Sequence, residues 1–207
     1  VETVRVGLAY RSHIAHNADG HTTLSNVPNA FLKHDAIGVS NLRSDMKVRI
    51  KTPDTITLSA TWEATDALRL SGTARWSKWS NFKSLSLDNS GFDNQMVDQI
   101  ASAHSTITNN WDDTWFFSVG ADYKLNGQWT VRGGVAYDQG PVENQYRMAV
   151  IPDTDRVWFS GGASYKYTDN LTFDFGATYI KGVGDKELVS TNEKASGEFK
   201  SLDSYIF

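Results

Sequence analysis

Five arginines carry the side chain best suited to holding a carboxylate, because a guanidinium can donate two parallel hydrogen bonds to one. Four of them alternate with apolar residues and so share the polar side of their segments, and the fifth precedes a similar segment: Arg5, Arg69, Arg75, Arg132 and Arg156. Their partners are either the carboxylate of a bound molecule or acids of the chain on neighbouring segments, such as Asp122, Asp138 and Asp174. Because unpaired buried charge is rare, pairing within the chain is the stronger alternative. Arg132 and Arg156 are the best candidates for a ligand.

The histidines and the remaining acids form no motif with known chemistry. His13 and His16 have a His-x-x-His spacing, but no Glu base or third ligand stands at a helical distance. All five histidines are expected in or beside long connections. The acids lack the spacing of a calcium loop, and there is no G-x-S-x-G, P-loop or H-E-x-x-H motif. We therefore predict no metal, no cofactor and no enzyme activity.

The arginines are positioned by segments that alternate between apolar and polar residues. Leu171, Phe173 and Phe175 share one side, for example, and Thr172 and Asp174 share the other. This period of two predicts a β-strand, and about ten residues suffice to cross a bilayer as a tilted strand. The alternation predicts seven strands and a less regular eighth, at about 4–11, 55–62, 68–76, 114–123, 129–138, 157–166, 171–179 and 195–207.

The connections between these strands alternate between short and long. Short turns are expected at 64–66, at Asn126-Gly127 with type I′ hairpin chemistry, and at 168–170. Long connections are expected at about 17–48, 81–110, 141–155 and 184–195. Antiparallel strands then have every short turn at one end and every long connection at the other, which is typical of outer-membrane barrels. A soluble sandwich or jelly roll is the alternative.

Composition favours the membrane interpretation. Aromatic residues reach 12% of the chain, with seven Trp, eight Tyr and ten Phe, and many stand at strand ends as in the girdles of a barrel. The mean hydropathy of −0.42 and the lack of a long apolar window exclude a spanning helix. A net charge of −4 argues against nucleic-acid binding, and the absence of cysteine excludes disulfides. The predicted fold is all-β, a transmembrane antiparallel up-and-down barrel.

Two long connections carry further features. Residues 27–42 are more apolar than a solvated loop needs and are the best candidate for a surface that captures a hydrophobic ligand, through Val27, Phe31, Leu32, Ile37, Val39 and Leu42. Residues 93–102 place apolar side chains at helical spacing and predict a short amphipathic helix.

Several stretches, in this order along the chain, resemble the FadL family of outer-membrane proteins. The strongest is IPDTDRVWFSGGASY at 151–165, and the others are VGLAYRS at 6–12, TPD at 52–54, WSKW at 76–79 and WTVRGGVAYD at 129–138 with Pro141-Val142. The resemblance implies a fourteen-stranded barrel plugged by an N-terminal hatch, with these strands as the last eight. Residues 1–207 would then be the C-terminal part of one barrel domain.

The resemblance also implies a function and partners. It implies an integral protein of the Gram-negative outer membrane, in contact with its lipid and lipopolysaccharide, that takes up long-chain fatty acids passively and releases them sideways. The five arginines would then include the group that meets the fatty-acid carboxylate. The hatch and early strands are expected outside this sequence, and the chain is expected to continue beyond Phe207. A lone piece with two bare sheet edges is expected to aggregate or to pair with the missing N-terminal half.

Two other functions stay open. Within the same fold, uptake of aromatic or alkane hydrocarbons would need no cation for a carboxylate. Alternatively, the chain is a structural or adhesive barrel whose loops bind a partner.

Overall fold

The computed structural model describes residues 3–28, 39–90, 103–149, 152–190 and 195–207. Within these ranges the chain is built almost entirely of β-strands, with two single turns of 3-10 helix at Trp79–Asn81 and Asn144–Tyr146. The strands are β1 (Thr3–Arg11), β2 (Ala15–Pro28), β3 (Val39–Lys51), β4 (Asp54–Glu63), β5 (Leu68–Lys78), β6 (Ser84–Ser90), β7 (Ala103–Thr108), β8 (Thr114–Lys124), β9 (Trp129–Asp138), β10 (Arg156–Thr168), β11 (Leu171–Gly182), β12 (Glu187–Ser190), β13 (Ala195–Glu198) and β14 (Ser204–Ile206). None of the described helices is long and apolar enough to cross a membrane.

The main sheet contains eight of the described strands, all antiparallel to their neighbours, in the order β1-β4-β5-β8-β9-β10-β11-β14. Seven of the strands predicted from alternation are confirmed within a few residues. In the described part of the chain β1 and β14 are the edges, and each has one neighbour.

The two faces of this sheet differ sharply in polarity. Large apolar side chains on one face stand open, with Val6 68% and Leu8 74% exposed on β1 and Phe175 64% exposed on β11. The opposite face carries Ser, Thr, Gly and charged residues. A soluble sandwich would bury the apolar face. Leaving so much of it uncovered fits a wall whose outer surface contacts lipid.

Aromatic side chains flank the apolar face at both ends of the strands. The end with short turns has Trp62, Tyr123, Trp129, Tyr165 and Phe173, and the other end has Tyr10, Trp76, Trp115, Tyr137 and Tyr179. Neighbouring strands bring some rings together, and Trp129 and Tyr165 lie 4.6 Å apart between ring centroids. The predicted pair of aromatic girdles is therefore present.

The turn at Asn126-Gly127 is hairpin-forming but is not of type I′, so that prediction is wrong. Type I′ needs a positive φ at both central residues. The non-glycine residues with positive φ, among those described, are Asn26 and Asn110. Instead the Asn126 side chain accepts hydrogen bonds from the backbone of Gln128 and Trp129, each at 2.9 Å, and so replaces the backbone acceptor that a tight turn would use.

The eighth predicted strand, at 195–207, is also corrected. It divides into β13, which pairs with β12, and β14, which pairs with β11. Asp203 explains the break, because its carboxylate accepts hydrogen bonds from Gly182 N–H and the Tyr179 hydroxyl across the sheet. The segment before β14 is thereby held in a non-strand conformation.

The long connections at 17–48 and 81–110 are not irregular either. They contain the four strands of a second sheet, in the order β2-β3-β6-β7. On β3 the alternation is clear in the structure, since Leu42 and Ser44 are buried while Arg43 and Asp45 are exposed. Because most residues of these segments are polar, the pattern is weak in the sequence. The predicted helix at 93–102 lies outside the described residues.

The described chain divides into two compact units. One comprises Val1–His13, Pro53–Asn81 and Trp111–Phe207, and contains the main sheet and the β12–β13 hairpin. The other comprises Ile14–Thr52 and Phe82–Asn110, and contains the second sheet. That residues 1–207 belong to a single barrel domain stays a prediction.

Candidate ligand-binding wall

A row of alternating charges crosses the polar face of the main sheet toward the end with short turns. We call it the charge ladder, and it consists of Arg5, Glu63, Arg69, Asp122, Arg132 and Asp174, on β1, β4, β5, β8, β9 and β11. Strand register creates it, because Glu63 stands opposite Arg69, Arg69 opposite Asp122, and Asp122 opposite Arg132. Opposite charges at directly facing positions stabilise an antiparallel pair.

The distances along the ladder are those of ion pairs. Glu63 lies 3.6 Å from Arg5 and 2.8 Å from Arg69. Asp122 lies 3.9 Å from Arg69 and 3.2 Å from Arg132, and Asp174 lies 3.7 Å from Arg132. On the intervening strand β10, Ser164 accepts a hydrogen bond from Arg132 and donates one to Asp174. Arg5, Arg69 and Arg132 are therefore paired with acids of the chain. Pairing within the chain was the alternative that the sequence favoured.

Arg75 is placed differently. Its guanidinium carbon lies 4.7 Å from the centre of the Phe116 ring, directly across from it on β8. A cation over an aromatic face is stabilised by the ring quadrupole. Phe116 is thus an aromatic ring on the mainly polar face, as is Trp158 on β10.

A groove with a floor of glycines lies beside the charge ladder, and Asp122 and Arg132 of the ladder belong to its lining. It has a volume of about 360 Å³ and is formed by Gly120, Gly134, Gly162 and Gly176 on four adjacent strands, with Ser71 and Ser160 next to them. We call it the glycine groove. A methyl group at Gly162 would lie 2.8 Å from the Phe175 carbonyl oxygen, and one at Gly134 would lie 3.1 Å from that of Val119. Close approach of neighbouring backbones therefore requires glycine there.

A second cavity lies on the polar face at the end with long connections. It has a volume of about 410 Å³, and its lining includes Asp153, Arg156, Trp158, Ile180 and Leu202. We call it the rim cavity. Arg156 lies 3.4 Å from Asp138 and 3.2 Å from Asp153. Trp158, Ile180 and Leu202 supply apolar surface beside this cation.

Polar atoms at the rim cavity are left without partners. Among the described residues, Arg156 Nε, Trp158 Nε1 and Asp153 Oδ2 are buried and make no hydrogen bond. Burial raises the pKa of Asp153, and the nearby Arg156 offsets this only in part. Unsatisfied buried polar atoms are rare, and a bound ion or molecule is one explanation for them. Of the candidate arginines, Arg156 is the one with such a donor within the described chain.

The residues that carried the strongest family resemblance close the loops over this end. Thr154 Oγ1 donates to the Asp185 carbonyl at 3.1 Å, and Asp155 accepts from Gly140 N–H at 2.9 Å. Arg147, only 2% exposed, donates from Nε to the Asp153 carbonyl at 2.9 Å and from Nη1 to the Glu187 carbonyl. The loop at 139–155 is thereby tied to residues 183–187. Sequence reasoning missed Arg147, because one arginine in a polar loop gives no periodic signal.

Three tyrosines of the aromatic girdle are fixed by aspartates at the same end. We call them the rim pairs: Tyr10 with Asp54, Tyr137 with Asp155 and Tyr179 with Asp203, at oxygen–oxygen distances of 2.9, 2.5 and 3.0 Å. Each aspartate also accepts a backbone hydrogen bond, from His13, Gly140 and Gly182 respectively. In each rim pair the aspartate carboxylate thus links a tyrosine ring of the girdle to the backbone of a nearby residue.

The predicted capture surface is only partly described. Phe31, Leu32 and Ile37 lie outside the described residues, while Val27 and Val39 belong to the paired ends of β2 and β3. Leu42 is only 6% exposed, so its expected exposure is wrong, because it lies on the covered face of β3. A hydrophobic capture surface at 27–42 stays a prediction.

Histidines do not cluster with acids in a metal site within the described ranges. His13 contacts Asp54, with 3.4 Å between Nδ1 and the carboxylate oxygen. His21 and His104 lie within the long connections and His16 lies beside one, as predicted. These connections contain strands, however, so His16 and His21 lie on β2 and His104 lies on β7. His34 lies outside the described residues.

Comparison with known proteins places this wall in a family. The family model for "Outer membrane protein transport protein (OMPP1/FadL/TodX)" matches residues 1–204. Outer membrane protein P1 of Haemophilus influenzae is 32% identical over 208 residues, which cover 97% of this chain and 39% of that protein. The long-chain fatty acid transport protein of Escherichia coli O6:H1 is 28% identical over 192 residues, covering 86% and 39%. The chain thus spans less than half the length of these relatives.

Solved structures of outer-membrane transporters are similar to this chain. The crystal structure of a Pseudomonas aeruginosa FadL homologue superposes with a TM-score of 0.71 and 26% identity, covering 98% of this chain and 46% of that one. The Ralstonia pickettii toluene transporter TbuX gives a TM-score of 0.56 at 23% identity, covering 87% and 39%, which shows the shared fold alone.

An antiparallel sheet with a lipid-type face, two aromatic girdles and a charged inner face defines the wall of an outer-membrane β-barrel. The chain belongs to the OMPP1/FadL/TodX family, as the resemblance implied, and the protein is integral to the Gram-negative outer membrane.

Proposed function

We propose that the complete protein carries long-chain fatty acids across the outer membrane, and that the rim cavity receives the carboxylate. The observation that carries this proposal is the unpartnered Nε of Arg156 beside apolar Trp158, Ile180 and Leu202. A fatty acid needs a cation next to apolar walls, and this cavity has both, together with the acids Asp153 and Asp203. The E. coli relative bears the name of a long-chain fatty acid transport protein.

The polar face offers a course for the tail of the ligand. Trp158 and Ile180 face each other on β10 and β11, and Gly162 and Gly176 face each other further along the same two strands. Ser160 and Thr178, between these pairs, hydrogen-bond to each other at 2.9 Å, which uses one of their two hydroxyl donors, and their methylene and methyl groups lie beside this bond. The rim cavity is therefore followed along the wall by the glycine groove.

The test is uptake and binding of oleate by the full-length protein in a strain lacking its own fatty-acid uptake. Arg156→Gln should weaken oleate binding by roughly tenfold or more, since a charge-assisted hydrogen bond contributes about 1.5–3 kcal/mol. Binding of oleyl alcohol, which has no carboxylate, should stay unchanged. Arg5→Gln, which removes a cation of the charge ladder, is the matched control. Equal oleate binding by the Arg156 and Arg5 variants would contradict the proposed head-group site.

A second candidate function is uptake of neutral hydrocarbons. The balance of Arg5, Arg69 and Arg132 by acids favours it, because a wall without net charge has no preference for an anion. Uptake of toluene without uptake of oleate by the wild-type protein would establish this second function in place of the first.

A further inference from the structure

The second sheet carries an open row of positive charges on β3. Arg43, Lys47, Arg49 and Lys51 stand at alternate positions, with Asp45 among them, and all five are exposed. The other face of the strand is covered at Leu42 and Ser44 and half-buried at Met46 and Val48, and it is open at Ile50, which is 43% exposed. The charged face is thus the more open face of this strand as far as Val48, in a chain whose net charge is −4.

These cations differ from those of the main sheet. Lys47, Arg49 and Lys51 make no ion pair within 4.0 Å with any residue that the structure describes, whereas the arginines of the charge ladder each have an acid within that distance. Opposite Arg49 stand Asn17 on β2 and Ser86 on β6, and opposite Lys51 stands Ala15. Arg49 and Lys51, at the C-terminal end of β3, therefore have no acid opposite them on the neighbouring strands. Lys47, by contrast, faces Asp19 on β2 and Asp88 on β6.

The location of this row suggests its partner. β3 ends at Lys51 and leads directly into β4, at the end of the main sheet that has the long connections. In outer-membrane barrels that end faces the cell exterior. The outer leaflet there is lipopolysaccharide, whose lipid A and inner core carry phosphates.

The chemistry of the row matches those phosphates. Arginine binds phosphate oxygens in a fork, and lysine adds a point charge. Cations on one face of a strand repeat about every 6.8 Å, so neighbouring side chains can bind separate phosphates or share one. We propose that Arg49 and Lys51 form a binding site for the phosphate groups of lipopolysaccharide.

The test uses the full-length protein in detergent and measures binding of purified rough lipopolysaccharide by native mass spectrometry. Arg49→Gln/Lys51→Gln should weaken this binding by about 25-fold, since each cation at an anionic lipid surface contributes about a factor of five. The control Lys124→Gln/Lys166→Gln removes the same charge from the end with short turns. The control and the charge-preserving Arg49→Lys/Lys51→Arg should both bind as the wild type does.

Two further arms separate the possible sources of negative charge. Dephosphorylated lipopolysaccharide should bind the wild type and Arg49→Gln/Lys51→Gln equally. Oleate binding should be the same in both proteins. Undiminished binding of the phosphorylated lipid by the double variant, or an effect on oleate alone, would overturn the proposal. If the double variant fails to fold, Lys51→Gln alone, which should weaken binding about fivefold, and the steepness of wild-type binding against salt provide the same test.

Discussion

Arg132 connects acids on two other strands, so its contribution extends beyond one pair. It lies 3.2 Å from Asp122 on β8 and 3.7 Å from Asp174 on β11, and it donates to Ser164. We expect Arg132→Ala to lower the free energy of unfolding of the full-length protein by about 1 kcal/mol, since it leaves Asp174 without its cation and Asp122 with the more distant Arg69 alone. Urea unfolding in lipid vesicles measures this. Arg5→Ala, at the exposed end of the ladder, should cost less than about 0.5 kcal/mol, and equal costs would contradict a shared role for Arg132.

Arg147 is a buried cation whose side chain donates hydrogen bonds to two backbone carbonyl groups. Its side chain donates to Asp153 and Glu187, which belong to different loops. We expect Arg147→Met to leave both carbonyls unsatisfied and to destabilise the closed loops by about 2 kcal/mol or more. Limited proteolysis should then cut residues 139–155 faster than in the wild type. The exposed Lys200→Met is the control, and unchanged cutting in the Arg147 variant would show that the loops close without it.

The sequence predicts which face of the sheet an arginine lies on more reliably than it predicts which residue the arginine contacts. Alternation alone places Arg69 and Arg132 on the polar face, and pairing with Asp122 and Asp174 is the stronger alternative because charges inside proteins are rarely left alone. The glycine groove and the Arg147 contacts could not be predicted in the same way. They depend on which residues of distant segments stand side by side, and that requires the register of the strands.

At the scale of elements, β10 and β11 approach each other closely where the glycine groove runs. A methyl group at Gly162 would meet the Phe175 carbonyl oxygen at 2.8 Å, whereas one at Gly161 would find backbone no nearer than 4.0 Å. We expect Gly162→Ala to destabilise the wall by about 1–3 kcal/mol through overpacking, and Gly161→Ala to be nearly neutral. Unfolding of the two variants of the full-length protein in vesicles compares them, and equal stabilities would show that the strands move apart at little cost.

The rim pairs make the attachment of neighbouring strands depend on pH, and Asp203 is the example. The Tyr179 hydroxyl, followed by the Gly182 N–H, holds the pKa of Asp203 below its usual range. A carboxyl whose pKa is lowered on folding stabilises the folded state above its unfolded pKa, near 3.9, and this contribution is lost as the pH falls through the folded pKa. We expect β14 to loosen from β11 in that acid range, measured by exchange of the Gly182 amide. Asp203→Asn should remove this pH dependence, and a dependence that persists would assign it to other acids.

The sequence predicts the positions of strands well where one face of the strand contacts lipid, and poorly in the second sheet. β5, β8 and β9 were located within two residues because apolar and polar residues alternate without interruption. β2 and β3 were assigned to a long connection, because their open and covered faces both contain polar residues such as Ser44. Outside the membrane no strong hydrophobic contrast is required, and the signal for a strand weakens accordingly.

At the scale of the whole molecule, the two faces of the main sheet should meet different solvents. The chain has no cysteine, so single cysteines can report on each face in a full-length background free of others. We expect Phe175→Cys to react with a lipid-soluble maleimide and Asp174→Cys with a water-soluble one, in membranes containing the protein. Reaction of both positions from water, or an exchange of the two patterns, would contradict the assignment of the apolar face to lipid.

The charge ladder also decides how the wall is aligned. Sliding β9 by two residues along β8 would keep every apolar side chain toward the lipid, so hydrophobicity does not distinguish the slipped arrangement from the correct one. The slip would place Asp122 opposite Thr130 or Gly134 in place of Arg132. Correct assembly in the membrane is therefore specified from the inside of the wall, and variants that neutralise the ladder should accumulate misaligned barrels before they lose the ability to insert.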